Sequence, residues 1–304
     1  MLTSKIKDNT FNNPILVASG TYGYGHEVAD MVNVESLGGI ITKSVTLEAR
    51  EGNDPPRIFE TPSGMLNSIG LANLGVDKFC SDKIPYLNNL NTNIIINIAG
   101  ASIDDYIKTL EILESSDSNH IGYEINISCP NVKKGGMEFS VDPKTTQLLT
   151  SQLRLKTDKL LIMKLSPNVT KISDIALACE IGGADAVSAI NTVVGMGIDI
   201  FTKKPKVSTV FGGLSGPAIK PIAIACVHKI FKVVKIPIIG IGGISSFEDV
   251  IEFILAGASL VQIGTLNYID PNKGVKIIDD LEKFCLNNKI NNLLDLKGQI
   301  NYYE

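Results

Sequence analysis

Short runs rich in β-branched and other apolar residues recur eight times along the chain, and stretches with helical periodicity separate most of them. Several runs are apolar at nearly every position, which is typical of parallel strands that are covered on both faces. Buried strands that alternate with helices favour an α/β architecture built on a parallel sheet. The predicted strands are 13–19, 38–44, 93–99, 123–128, 160–166, 186–191, 237–243 and 260–265.

The number of these units predicts a closed barrel. The segments "GGADAVSAIN" and "AGASLVQIGT" both run from the end of a predicted helix through Gly-Ala into a strand. Eight repeated units of this kind favour a (β/α)8 TIM barrel, and an open doubly wound sheet is the alternative. Residues 2–11 precede the first barrel strand, so we expect a short N-terminal extension that forms a plug or hairpin across the bottom. We expect residues 1–304 to form a single domain.

Two of the intervening segments begin with a helix-capping pattern. In "SIDDYIKTLEILES" we expect Ser102 and Asp105 to form a capping box, and in "SSFEDVIEFILAG" we expect Ser245 and Glu248 to do the same. The second helix should end at Gly257.

Composition and charge exclude several classes of function. A net charge of −4, with no cluster of Lys and Arg, argues against nucleic-acid binding. The five cysteines are scattered without a C-x-x-C pair, which predicts no zinc or iron–sulfur site and fits a reducing, cytoplasmic environment. The N-terminus is polar, and the apolar runs are far too short to span a bilayer, so we expect no membrane association.

The predicted strand ends contain groups that a fold alone does not require. Catalytic residues of TIM barrels gather at the C-terminal ends of the strands. Lys43 and Lys164 lie there inside apolar runs, and burying an unpaired lysine is costly. Each could extend to the barrel mouth or pair with an internal carboxylate, but two such lysines favour an anionic ligand. The turns "GIGGIS" and "IGTLN" expose backbone N–H groups that suit a phosphate, and we interpret 211–221 as another Gly-rich loop.

Asparagines and a thiol recur at the same end. Asn67, Asn97, Asn126, Asn131 and Asn191 offer uncharged donors and acceptors that could bind a planar imide ring, although an individual Asn is more often a turn or cap residue. Cys129 follows directly in "YEINISCPN", where it is either a packed small hydrophobe or a reactive group. The polar segment 130–142 after it suggests a lid. The three histidines share no motif, so we expect no metal site.

These segments together resemble the dihydroorotate dehydrogenase family. The matching motifs are "NPILVASGTYGYG", "GGIITKSVT", "NSIGLANLG", "YEINISCPN", "IMKLSPN", "AINTV", "GGLSGPAIKP", "IIGIGGI" and "VQIGT", and they span nearly the whole chain in the family's order. Cysteine at the position of the catalytic base is typical of class 1. The segments "ASGTYGYG" and "GGLSGPAIKP" resemble subclass 1B, the catalytic subunit of the NAD-dependent type.

The resemblance implies a site residue by residue, with Cys129 as the catalytic base. The positions matching FMN contacts are Ser19, Lys43, Ser44, Asn97, Asn126, Lys164, Ile190, Gly216, Gly242, Gly243, Gly264 and Thr265. The positions matching substrate contacts are Lys43, Asn67, Ser68, Ile69, Gly70, Leu71, Asn126, Asn191 and Thr192, with Asn131 as an addition.

The resemblance also implies a reaction and an assembly. Dihydroorotate would be oxidised to orotate in pyrimidine biosynthesis, with one FMN per chain as the hydride acceptor. Electrons would pass to NAD through a partner subunit that contains FAD and an iron–sulfur cluster, and a homodimer of this chain would form the core of a heterotetramer. Three alternatives stay open: a fumarate-dependent class 1A enzyme, a flavin barrel similar to dihydropyrimidine dehydrogenase, and a lyase that uses Lys43 or Lys164 as a Schiff-base nucleophile.

Overall fold

The computed structural model describes residues 1–128 and 141–303. The strands within these ranges are β1 (Ser4–Ile6), β2 (Asn9–Phe11), β3 (Ile15–Val17), β4 (Gly39–Ile41), β5 (Ile58–Thr61), β6 (Gly64–Asn67), β7 (Asn93–Ile98), β8 (Gly122–Asn126), β9 (Leu160–Leu165), β10 (Ala186–Ala189), β11 (Val193–Gly195), β12 (Gly212–Ser215), β13 (Ile238–Ile241) and β14 (Leu260–Ile263). The α-helices are α1 (Val76–Asp82), α2 (Ile84–Leu87), α3 (Ile103–Glu114), α4 (Pro143–Arg154), α5 (Ile172–Ile181), α6 (Lys220–Phe231), α7 (Phe247–Ala256) and α8 (Lys273–Asn287).

Eight of the strands form a closed parallel barrel in the order β10-β13-β14-β3-β4-β7-β8-β9. Each coincides with one of the eight predicted runs, so the prediction of a TIM barrel is confirmed. Helices cover the outside between most strands, whereas the connection from β3 to β4 contains short 3-10 turns at His26–Val28 and Val34–Ser36. The strands are buried on both faces because helices pack outside them and side chains fill the interior.

The N-terminal extension closes the bottom of the barrel. Strands β1 and β2 form an antiparallel hairpin, and Ile6 and Phe11 from it pack into a buried apolar cluster. That cluster also contains Leu16, Ile41 and Ile162, which come from three different barrel strands. The expected hairpin is therefore confirmed, and it seals the end of the barrel at which the strands begin.

A second, four-stranded antiparallel sheet was not predicted. Its order is β11-β12-β6-β5, and it follows the C-terminal ends of β4 and β10 along the chain. The interpretation of 211–221 as a loop is wrong over Gly212–Ser215, which is strand β12 of this sheet, and over its last five residues, which form a 3-10 turn at Pro217–Ile219 and the start of α6. A hydrogen bond from the Thr265 hydroxyl to the Ser215 hydroxyl, 2.7 Å long, links the sheet to the residues after β14.

The N-terminal caps of α3 and α7 differ in detail from the capping boxes predicted for them. Ser102 caps α3 by accepting from the Asp105 N–H, but the Asp105 carboxylate accepts from the Ala101 N–H, so the reciprocal bond of a capping box is absent there. For α7 the predicted pair Ser245 and Glu248 is wrong by one residue. Ser246 and Asp249 form the capping box because Ser246 has the extended backbone of a cap residue. Gly257 ends α7 in the left-handed conformation, as predicted.

Within residues 1–128 and 141–303 no helix is long and apolar enough to cross a membrane.

Candidate active site

The predicted site residues gather at one end of the barrel, where the strands finish. Hydrogen bonds connect residues around the mouth. Asn126 bonds to Asn191 across the end of β9, Asn67 bonds to Gly213 within the four-stranded sheet, and Ser215 of that sheet bonds to Thr265 after β14. The Ser19 and Ser44 hydroxyls, after β3 and β4, approach to 3.5 Å. The structure thus brings together groups that lie up to about 250 residues apart in the sequence.

The turns after β13 and β14 present a set of backbone donors. The N–H groups of Gly242, Gly243, Gly264 and Thr265 find no hydrogen-bond acceptor in the described part of the chain. Gly242 and Gly243 have φ angles of 131° and 75°, and a methyl group on Gly243 would lie 2.8 Å from the Gly216 carbonyl oxygen. Adjacent unpaired N–H groups on a close-packed glycine backbone suit the oxygens of a phosphate, at the place where TIM barrels frequently bind one.

Lys43 supplies positive charge at the mouth. Its side chain is half-buried and forms no ion pair with any residue that the structure describes. Burial lowers its pKa, which the Glu27 carboxylate partly opposes and the Arg57 guanidinium reinforces. A half-buried ammonium that forms no ion pair with the described residues suits an anionic or strongly polar ligand.

Lys164 does pair with an internal carboxylate, which was the alternative weighed for it. The ammonium lies 3.3 Å from Oε1 of Glu124, and Lys164 is only 6% exposed. Glu124 is fully buried inside the barrel, where its Oε1 also accepts from Asn97 Nδ2 at 2.8 Å. Its Oε2 accepts from the Ser188 hydroxyl at 2.9 Å and from Gln262 Nε2 at 2.5 Å.

Sequence reasoning missed Glu124, Ser188 and Gln262. In "YEINIS" the alternation of Ile125 with Glu124 and Asn126 resembles a strand with one apolar and one polar face. A barrel strand has no solvent face, so the glutamate had to lie in the interior or in the helix layer. The sequence did contain one indication of a buried carboxylate, because Glu124 is a charged residue in the middle of a strand predicted to be parallel.

Asn97 lies below the mouth and does not line it. It is fully buried, it accepts from the Ser44 hydroxyl at 2.6 Å, and it donates to Glu124. Ser44 is also nearly buried, whereas Ser19 is partly exposed. These three residues form a polar path from the mouth to the interior carboxylate.

The two central asparagines are held in place by their neighbours. Asn191 donates to the Asn126 side-chain oxygen at 3.2 Å, and that oxygen also accepts from the Ser128 N–H. The Asn191 oxygen accepts from the Thr192 N–H at 2.8 Å. The side-chain hydroxyl of Ser128 is buried without a hydrogen-bond partner among the described residues.

Residues 67–71 run from the end of β6 toward the loop at 50–57. The Asn67 amide donates to the Gly213 carbonyl, and Ser68 contacts both the Asn53 amide and the Thr209 hydroxyl. The Ile69 carbonyl accepts from the Asn53 N–H. Gly70 and Leu71 follow with positive φ angles of 74° and 58°.

Ile190 belongs to the hydrophobic core and is 1% exposed. Its backbone N–H donates to the Ile241 carbonyl.

Cys129 and Asn131 lie outside the described residues, as does the suggested lid except for Val141 and Asp142. The described residues contain no cluster of three or more His, Cys, Asp or Glu side chains that could hold a metal ion.

The described geometry favours one kind of ligand. Free N–H groups at two strand ends suit a phosphate, and the asparagines, threonine and lysines beside them suit a planar ring with alternating N–H and C=O groups. A phosphorylated cofactor together with a small polar substrate would use both sets.

Comparisons with known proteins agree with this description. The family model "Dihydroorotate dehydrogenase" matches residues 1–285. The chain is 47% identical over 299 residues to "Dihydroorotate dehydrogenase B (NAD(+)), catalytic subunit" from Parabacteroides distasonis, which covers 98% of each chain. It is 50% identical over 283 residues to the protein of that name from Bacteroides thetaiotaomicron, covering 93% of each. The protein of that name from Thermoanaerobacter sp. is 46% identical over 288 residues, covering 95% of each.

Proposed function

Since this chain belongs to the dihydroorotate dehydrogenase family, we propose that it oxidises (S)-dihydroorotate to orotate in de novo pyrimidine biosynthesis. The observation that carries the proposal is the convergence of free N–H groups, lysines and asparagines at the strand ends of a barrel closely similar to NAD(+)-dependent catalytic subunits. This arrangement provides for both a cofactor and a polar ring.

The residues at the mouth fit FMN, one per chain. The N–H groups of Gly242, Gly243, Gly264 and Thr265 would hold its phosphate, and Gly216 keeps the neighbouring backbone close. Bound FMN supplies the hydride acceptor of the reaction. Lys164 would place positive charge beside the reduced cofactor and so stabilise it. Ser19, Ser44, Asn97, Asn126 and the backbone of Ile190 would complete the pocket.

The substrate would be held by amide side chains and Lys43. Asn67, Asn126, Asn191 and Thr192 offer donors and acceptors to the N–H and C=O groups of the ring, and Lys43 offers a cation to its carboxylate or carbonyl oxygens. Residues 68–71 and Asn131 are proposed to enclose the ring from the other side. Recognition by several fixed amides would reject rings that lack these polar groups.

Cys129 is proposed to remove the proton from C5 of dihydroorotate. A base must act on the ring while the hydride leaves C6, and a thiolate can accept a proton at neutral pH. Cys129 follows Ser128, whose N–H donates to the Asn126 side chain, so it comes three residues after a group proposed to bind the substrate.

NAD is proposed to receive the electrons through a second polypeptide. The relatives named above are called catalytic subunits of NAD(+) enzymes, and this sequence has no G-x-G-x-x-G between a strand and a helix. We propose a cytoplasmic partner subunit that contains FAD and an iron–sulfur cluster, with a homodimer of this chain at the core of a heterotetramer.

Exposed apolar residues in the segment from β11 to β12, within the four-stranded sheet and its connecting loop, support such an assembly. Between residues 194 and 211, five large apolar side chains are more than half exposed: Val194, Ile198, Ile200, Phe201 and Phe211. Apolar side chains concentrated in this way are typical of surfaces that other protein chains cover.

The proposal is tested by the absorbance spectrum of the purified chain and by anaerobic addition of dihydroorotate. We expect FMN to co-purify and to be bleached by dihydroorotate but not by dihydrouracil. The isolated chain should reduce an artificial dye, but it should reduce NAD only after the partner subunit is added.

Two other outcomes would support the alternative functions. A colourless protein in which borohydride traps a substrate on Lys43 would support the lyase, because a lysine with a lowered pKa is suited to attack a carbonyl group. Rapid turnover with fumarate would indicate class 1A.

A further inference from the structure

Five polar side chains fill one layer of the barrel interior. Glu124 lies at the centre and accepts hydrogen bonds from Lys164, Asn97, Ser188 and Gln262, which come from four other strands. Each of the five is less than 10% exposed. The layer below is apolar, and TIM-barrel interiors are commonly filled by branched apolar residues. The fold therefore does not require a buried carboxylate at this level.

The geometry of this layer ties Glu124 to Lys164. In the register of the barrel, Glu124 is paired with Asn97 and Ile162, and Lys164 is two residues nearer the mouth on β9. An ammonium has three N–H groups, and Glu124 is the only acceptor found for them among the described residues. The carboxylate therefore holds the ammonium from below and leaves donors for a ligand at the mouth.

The charges of the pair also offset one another. The other three partners of Glu124 are neutral donors, so the carboxylate and Lys164 form a layer without net charge. Removing one member of a buried pair leaves the other charge uncompensated. A change at Glu124 would then alter the electrostatic potential at the mouth through Lys164.

We propose that Glu124 is a positioning residue that holds Lys164 below the flavin site and offsets its charge, and that it thereby lowers the reduction potential of the bound flavin. The inference depends on the proposed function, because it requires FMN at the mouth. An uncompensated Lys164 stabilises an anionic reduced flavin more than a compensated one does.

The informative variant is Glu124→Gln, which keeps the shape and removes the charge. The interior can accommodate it because Gln262 Oε1 has no partner among the described residues, so a rotated Gln262 amide can accept from the new NH2 group. We expect the affinity of reduced FMN, relative to that of oxidised FMN, to rise at least tenfold. For a two-electron couple this is a rise of about 30 mV in midpoint potential.

The matched control is Glu114→Gln. Glu114 also pairs with a lysine, Lys159 at 3.0 Å, and with the Thr157 hydroxyl, but it lies at the end of α3, near the bottom of the barrel. Its replacement should leave the potential unchanged. Glu124→Asp keeps the charge and should bring the potential back toward the wild-type value, which also provides a test if Glu124→Gln fails to fold.

A double-mutant cycle separates positioning from a direct effect. Lys164→Met alone should lower the potential, and adding Glu124→Gln in that background should raise it by less than Glu124→Gln does when Lys164 is present. The measurements are redox titrations of the bound flavin and the affinities of the cofactor-free chain for oxidised and reduced FMN. An unchanged potential in flavin-loaded Glu124→Gln, or an equal shift with and without Lys164, would overturn the inference. Failure of the wild-type chain to bind FMN would instead overturn the proposed function.

Discussion

The lower and upper halves of the barrel interior are built on the same strands yet differ in chemistry. Near the bottom, Leu16, Ile41, Ile95 and Ile162 pack with the N-terminal hairpin in a cluster without a charged side chain. Two residues further along three of these strands, the interior positions are Lys43, Asn97 and Lys164. Because strand side chains alternate with a period of two, Ile41 and Lys43 share a face, as do Ile95 and Asn97, and Ile162 and Lys164.

The difference shows how one strand can serve both stability and chemistry. The lower layer buries apolar surface, which stabilises the folded state. The upper layer buries polar groups, which need hydrogen-bonding or ionic partners. Lys164 has such a partner in Glu124, and Lys43 has no ionic partner among the described residues. Changes in the lower half should therefore affect unfolding, and changes in the upper half should affect ligands and rates.

The largest effect is expected for Cys129→Ser. A hydroxyl is a far weaker acid than a thiol, so the serine is rarely deprotonated at neutral pH. Flavin reduction by dihydroorotate should slow by about 10² to 10⁴ at pH 7, which is typical for loss of a general base, and should recover as the pH rises. Rapid anaerobic mixing measures the rate. A wild-type rate at pH 7 would make Cys129 a packing residue, and Cys80→Ser is the control on a thiol outside the proposed site.

A smaller effect, on stability alone, is expected for Phe11→Ala in the lower half. Phe11 is fully buried where the hairpin meets the barrel interior. Truncating a buried phenylalanine leaves a cavity and typically costs about 3–5 kcal/mol in the free energy of unfolding. Urea titration measures the loss, and Thr10→Ala, an exposed change on the same hairpin, should cost little. A slower flavin reduction in the folded Phe11→Ala protein would contradict the separation of the two halves.

The barrel could be predicted from the sequence because short local segments carry the pattern that identifies each strand and helix. Most of the barrel strands are short apolar runs next to a segment with helical periodicity, so the eight strands could be predicted from local sequence. The four strands of the antiparallel sheet, β5, β6, β11 and β12, could not be predicted in this way. They are only three or four residues long, and β12 pairs with β6 roughly 150 positions away, so their pairing is set by the barrel ends that bring them together.

The candidate site was partly predictable for the same reason. Lysines and asparagines inside apolar runs were visible as exceptions, and the structure places those it describes at one end of the barrel. Glu124 was not recognised because nothing local in "YEINIS" shows whether a side chain of this buried strand lies inside the barrel or in the helix layer. The cap of α7 was missed by one residue because two consecutive serines each precede an acidic residue by three positions, and only the backbone conformation selects Ser246.

The smallest effect on stability, and the sharpest contrast between the halves, is expected for Lys43→Met. Burial lowers the pKa of Lys43, so the folded chain holds this ammonium at some cost. Its removal should leave the free energy of unfolding of the cofactor-free chain within about 1 kcal/mol of the wild-type value, or raise it. Orotate affinity, followed by the change in the flavin spectrum, should nevertheless fall about tenfold to a hundredfold, because a hydrogen bond to a charged group is lost. Lys5→Met, on the exposed face of the bottom hairpin, should change neither quantity. A marked loss of stability in Lys43→Met without a loss of orotate affinity would place Lys43 with the structural residues and remove the contrast.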